Sequence, residues 1–116
     1  MVTLFHGHQA PLVSGAFDLE AATALQRAGT PVPGVYLTND LARAATQYAG
    51  PGGFVTRTQI PASAAEGMMQ ASPIRGPGGA VQYEWVARTP GQVNVLNQAR
   101  QTLPQIQALR AWLGLP

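Results

Sequence analysis

The chain has no cysteine and no lysine, and its charged residues make up only 10% of 116 positions, against roughly 25% in an ordinary globular domain. Without cysteine it can form neither disulfides nor thiolate metal sites, and its redox compartment stays open. The pI near 9.7 would suggest a nucleic-acid partner, but the formal net charge is only +2. Arg27, Arg43, Arg57, Arg75, Arg88, Arg100 and Arg110 are spread almost evenly, so no basic cluster of the kind a phosphate-binding face requires is present. A GC-rich genome, which also favours Ala, Gly and Pro, accounts for the missing lysine. The sharper alternative is a protein that works inside a foreign cell and avoids lysine-directed tagging. No 18-residue apolar run occurs, nor a basic start followed by an apolar core, so the chain as given is expected neither to span a membrane nor to export itself.

What is present suits one soluble domain over residues 1–116, 46% hydrophobic, with no repeat and no long linker. Thr3 to His6 is a short apolar run suited to a buried strand. Asp18 is a good cap for a helix over Leu19–Ala28, with Gly29 as its stop. Pro31, Pro33 and Gly34 form a turn into a brief strand V-Y-L. A second helix over Leu41–Ala49 starts from Thr38 or Asn39 as cap and ends at Gly50. F-V-T-R-T-Q-I alternates imperfectly and ends at Pro61, as a strand would. Residues 61–79 read as an irregular loop with a short helical turn around Ala64–Met69. Ala80–Ala87 is a strand, Thr89–Pro90–Gly91 a turn, and Gln92–Leu96 the second arm of a hairpin. A last helix begins with Thr102 as cap and Pro104 in its first turn. Leu103, Ile106, Leu109 and Trp112–Leu113 line one of its faces, ready to dock on the body or on a partner. Helices and strands in no regular βαβ alternation predict an α+β fold.

The only two histidines, His6 and His8, flank Gly7. Residues i and i+2 of a strand share a face, so the two imidazoles could begin a metal site. Zinc, however, needs three or four protein ligands, and the remaining candidates are only Asp18, Glu20, Asp40, Glu66 and Glu84. The expectation is no metal. Ser14, Ser63 and Ser72 lie in loop-like stretches without G-x-S-x-G, which disfavours a serine hydrolase. G-P-G-G occurs twice without a following helix and lysine, so neither copy is a phosphate loop.

Three blocks remain, in order: L-F-H-G, then G-V-Y-L-T-N-D-L-A-R-A-A-T-Q-Y-A, then Q-Y-E-W-V. Together they resemble the His-Tyr-Glu signature of ADP-ribosyltransferases of the diphtheria toxin and poly(ADP-ribose) polymerase type, over roughly residues 3–97. The middle block is the most specific: a strand-ending tyrosine, Thr/Asp-like residues, a small-residue helix and a second tyrosine. Glutamate followed by an aromatic, a strand, a turn and Q-V-N at the start of a next strand extends the last block. Three departures stand out. His8 sits where the family usually has serine or threonine. Tyr36 and Tyr48 are twelve positions apart, one more than the family spacing, which requires a small adjustment in the helix. Ala45 stands where polymerases carry serine, as the toxin branch tolerates.

The resemblance implies two small packed antiparallel-rich sheets with flanking helices, the C-terminal amphipathic helix being extra. It implies NAD as substrate, with Glu84 as the catalytic carboxylate beside the ribose. His6, Gly7, Tyr36, Thr38 and Tyr48 would hold the donor: His6 on a ribose hydroxyl, Gly7 through its backbone on the carboxamide, and Tyr36 and Tyr48 around the nicotinamide ring. The residue types suit this chemistry, because positive charge develops on the sugar as the glycosidic bond breaks and a fixed carboxylate stabilises it. The expected activity is transfer of a single ADP-ribose unit to a macromolecule, protein rather than RNA. The expected setting is a toxin domain of a larger delivered effector, acting in a target-cell cytoplasm and silenced by a cognate immunity protein. NAD hydrolysis at the same site and a non-catalytic NAD- or ADP-ribose-binding module are the alternatives.

Overall fold

A computed structural model describes residues 1–9, 17, 34–75, 81–112 and 114. The Leu19–Ala28 helix with its Asp18 cap and Gly29 stop, the prolines of the following turn, residues 76–80 (with Ala80, the expected start of a strand) and Leu113 lie outside the described residues. Within them the fold is α+β, built on two three-stranded antiparallel sheets. The first has the order β1 (Val2–His8), β3 (Phe54–Ile60), β6 (Arg100–Pro104). The second has the order β2 (Val35–Leu37), β5 (Val81–Ala87), β4 (Met69–Arg75). They meet at one bridge, where Phe5 and Thr38 exchange both backbone hydrogen bonds at 2.7 and 2.9 Å.

Two cores explain the sequence pattern. Leu4, Val35, Leu37, Ile60 and Ala87 pack between the sheets with Ala65, Met68, Val93 and Leu96. Phe5 and Val55 face the other way, onto Ala44, Ala45, Ala49 and Ala108. The central strand β3 is thus covered on both faces, which is why its apolar and polar residues alternate imperfectly.

Helix α1 (Leu41–Arg43) runs directly into a π-helical segment, Ala44–Ala49, closed by Gly50 at φ 68°. The Asp40 side chain, rather than Thr38 or Asn39, caps it, accepting the Arg43 N–H at 3.1 Å. Helix α2 covers Ala62–Glu66, and the next element is strand β4 rather than loop. The largest difference is at residues 90–98. Instead of a turn and a hairpin arm they form helix α3 (Pro90–Gln98), capped by Thr89 with proline in its first turn. Proline preset for the first turn and a threonine cap outweigh the weak strand preference of Val93 and Val95. Q-V-N therefore opens no strand. The next strand is β6, and Thr102 lies within it rather than capping the last helix.

That helix, α4 (Gln105–Trp112), docks on the body. Ala108 is fully buried, Trp112 meets Phe5 at 5.5 Å, and the Arg57 guanidinium lies 5.6 Å over the indole. Ile106, expected on the buried face, is 56% exposed. No helix among the described residues is long and apolar enough to cross a membrane.

Candidate functional site

The site forms where β1 and β2 part. Backbone groups of successive strand residues turn to opposite edges. Phe5 gives its N–H and C=O to Thr38, so Gly7, two residues on, turns its own to the same edge. Continued pairing would set Gly7 opposite Tyr36, but the bridge at Phe5 stands alone. There the Tyr36 carbonyl accepts from His6 Nδ1 at 2.6 Å. This fixes the His6 tautomer: Nδ1 carries the proton, and Nε2 presents a lone pair. Burial holds the imidazole at about 4 instead of 6.5, against the raising pull of the carbonyl and with a further lowering from His8. His6 is therefore neutral near pH 7 and can accept, but not donate, at Nε2.

On the opposite face of β1, the π segment sits against Gly7. A Cβ there would lie 2.1 Å from the Ala44 carbonyl oxygen and 2.8 Å from Tyr48 Cβ. A second glycine completes the seat, since a Cβ on Gly53 would lie 2.2 Å from the Ala49 oxygen. Close approach of main chain does require Gly7, and the main chain that approaches it is the π segment.

This seating brings Tyr48 to Glu84. The tyrosine hydroxyl donates to Glu84 Oε1 at 3.1 Å. Glu84 lies in β5 two residues before Val86, the register partner of Tyr36, so the Tyr36 and Glu84 side chains project from the same face of that sheet. Glu84 is almost fully buried. Burial, then the Glu84 charge, push the Tyr48 hydroxyl above its ordinary value of 10, with Arg43 pulling it back.

Arg43 is the site residue that the sequence pattern does not reveal. Its Nη2 reaches the same Oε1 at 3.4 Å, the two side chains being 8% and 7% exposed. Its guanidinium also lies 5.5 Å from the centre of the Tyr48 ring. Five residues do not match the 3.6-residue repeat of an α-helix, but they match one i→i+5 turn. Only the π segment, closed by Gly50 N–H to the Ala45 carbonyl at 2.9 Å, sets Arg43 and Tyr48 on one side. The extra residue between Tyr36 and Tyr48 is absorbed in that segment, since a π turn takes up one more residue than an α turn.

The other two residues have structural duties. Thr38 is buried; its backbone joins the sheets, and its hydroxyl accepts the Asp40 N–H at 3.2 Å. His8 Nε2 is 2.9 Å from Thr56 Oγ1, which is 2.7 Å from Thr102 Oγ1. The His8 ring stacks on His6 at 5.3 Å and on Phe54 at 5.8 Å, tying β1 across β3 to β6. Among the described residues no cluster of three metal-ligating side chains occurs.

Three kinds of comparison, with protein-family models, curated proteins and solved structures, give no match for this chain.

Proposed function

We propose that the chain is a mono-ADP-ribosyltransferase that takes NAD as donor, with the two-sheet arrangement of that family. The observation that carries the reading is the meeting of Tyr48 and Glu84 at 3.1 Å beside the edge of β1 to which Gly7 turns its backbone. An aromatic face, a backbone donor and acceptor, and a buried carboxylate suit a nicotinamide carboxamide attached to a ribose. His6 Nε2, a neutral acceptor, suits a ribose hydroxyl. Tyr36 completes the aromatic wall, and Thr38 contributes by holding the two sheets together.

In the proposed reaction the bond between nicotinamide and the ribose anomeric carbon breaks heterolytically. Its electron pair leaves with nicotinamide, and positive charge develops on the sugar. Glu84 stabilises that charge, an interaction stronger in the transition state than in the ground state. The acceptor's nucleophile then bonds to the anomeric carbon and gives up its proton to solvent, so the products are nicotinamide, the ADP-ribosylated acceptor and one proton. A protein acceptor is favoured over RNA by the even scatter of arginines. A delivered toxin, acting in a target-cell cytoplasm and held silent by an immunity protein, is the setting that the resemblance and the absence of lysine support.

Labelled NAD, incubated with the protein and a cell lysate, tests the reading. Label in macromolecules supports transfer, and free ADP-ribose alone makes the chain an NAD glycohydrolase. NAD binding without either product leaves a binding module, and absence of binding removes the proposal.

A further inference from the structure

We infer that Arg43 is a positioning residue for Glu84, fixing which carboxylate oxygen faces the donor; this rests on the reading of Glu84 as the catalytic carboxylate. Two donors, Tyr48 Oη at 3.1 Å and Arg43 Nη2 at 3.4 Å, converge on Oε1. Neither engages Oε2, and no buried side-chain polar atom among the described residues lacks a partner, so the slight exposure of the Glu84 side chain, 7%, includes Oε2. Arginine–carboxylate pairs frequently use the guanidinium fork on both oxygens, whereas this one uses a single oxygen. A nearly buried arginine on a single oxygen carries its desolvation cost for less attraction. What the one-sided contact achieves is orientation: with Oε1 held by two donors, rotation of the carboxylate is restrained and Oε2 is the oxygen left to accept from a ribose hydroxyl. The Arg43 contact is to Oε1 and not to Oε2. The π segment is integral to this, because it alone brings residues 43 and 48 to one side.

The test compares wild type with Arg43→Met and Arg43→Lys for NAD affinity, NAD turnover and tyrosine titration followed by ¹³C NMR of the ring carbons. Misplacement by about 1 Å costs on the order of 100-fold in rate, so Arg43→Met should lower kcat about 30- to 100-fold. Its NAD Kd should stay within about threefold, because positioning acts in the transition state and not in binding. Arg43→Lys keeps the charge and should recover most of the rate. Tyr48 should titrate higher in Arg43→Met, since the guanidinium pulls it down, and near wild type in Arg43→Lys. A kcat within about twofold of wild type in Arg43→Met overturns the inference, as does a loss of affinity that matches the loss of rate. If wild type neither binds nor consumes NAD, the functional reading is what fails. The tyrosine titration then judges the geometry by itself, and an unmoved Tyr48 in Arg43→Met shows that Arg43 does not stand against the Tyr48–Glu84 pair, which overturns the inference.

Discussion

Replacing Gly7 with alanine separates two reasons for a glycine at the mouth of the site. The added methyl would meet the Ala44 carbonyl oxygen at 2.1 Å, Tyr48 Cβ at 2.8 Å and the Ala49 nitrogen at 2.9 Å. Ordinary contact needs about 3.5 Å, so strand and π segment must part by more than about 1 Å. Two of the three obstacles are backbone, which has no rotamer to yield. Overpacking usually costs about 1–3 kcal/mol, and this geometry belongs at the upper end, about 3 kcal/mol. Against a total of about 5–15 kcal/mol for a small domain, that should lower Tm by about 10–15 °C. Calorimetry of Gly7→Ala, with Gly91→Ala as reference, measures it. Gly91 lies in the first turn of α3, and a methyl there would have nothing within 4 Å, so alanine should raise stability by up to about 1 kcal/mol. If Gly7→Ala melts within about 2 °C of wild type while losing NAD affinity, the glycine serves the ligand alone and the packing account is wrong.

Three further outcomes are expected. The unfolded chain binds a proton at His6 near 6.5 and the folded one only near 4, so stability should fall as pH drops through that window and level off below it. With partial exposure of the ring discounted, the loss is about 1–2 kcal/mol; urea titrations at pH 7 and 4 should show it in wild type and a smaller loss in His6→Asn, and equal losses would refute it. Deleting Gln47, exposed in the π segment, should convert it to an α turn with Arg43 and Tyr48 still on one face, keeping NAD affinity within about threefold and stability within about 1 kcal/mol; a variant that fails to fold would count against the one-residue account. Thr89→Ala removes the acceptor of the Gln92 N–H at 3.2 Å and should cost about 1 kcal/mol in chemical denaturation, whereas no loss would remove the capping role.

The legible parts of the fold are those where local pattern and tertiary placement agree. β1, β2, β3 and β5 carry apolar residues into cores on one or both sides, and the helix after Asp40 has a cap, small residues and a glycine stop. Residues 90–96 mislead because Gln92–Leu96 alternates like a strand, while the stronger signal, Thr89 before Pro90, also reads as a turn. β4 and β6 are hidden for a different reason: M-Q-A-S-P-I-R and R-Q-T-L-P show neither a regular apolar–polar alternation nor a continuous apolar run, and each contains a proline. At the site, Tyr48 and Glu84 can be named from sequence, and the structure brings them into contact. Arg43 cannot, because an arginine five residues before a tyrosine faces elsewhere on an α-helix. The twelve-residue spacing is the available signal, once it is taken to imply a π turn. His8 likewise depends on register: Thr56 and Thr102 come beside it only through the pairing of three strands.

The central claim, that Tyr48 and Glu84 form the core of an NAD-consuming site, is tested most directly by following NAD in wild type and Glu84→Gln under single-turnover conditions, with Kd measured in parallel. The account predicts that wild type releases nicotinamide and that the variant binds NAD with similar affinity but reacts at least about 100-fold more slowly. Nicotinamide release at the wild-type rate from Glu84→Gln, or no NAD binding by either protein, would contradict it.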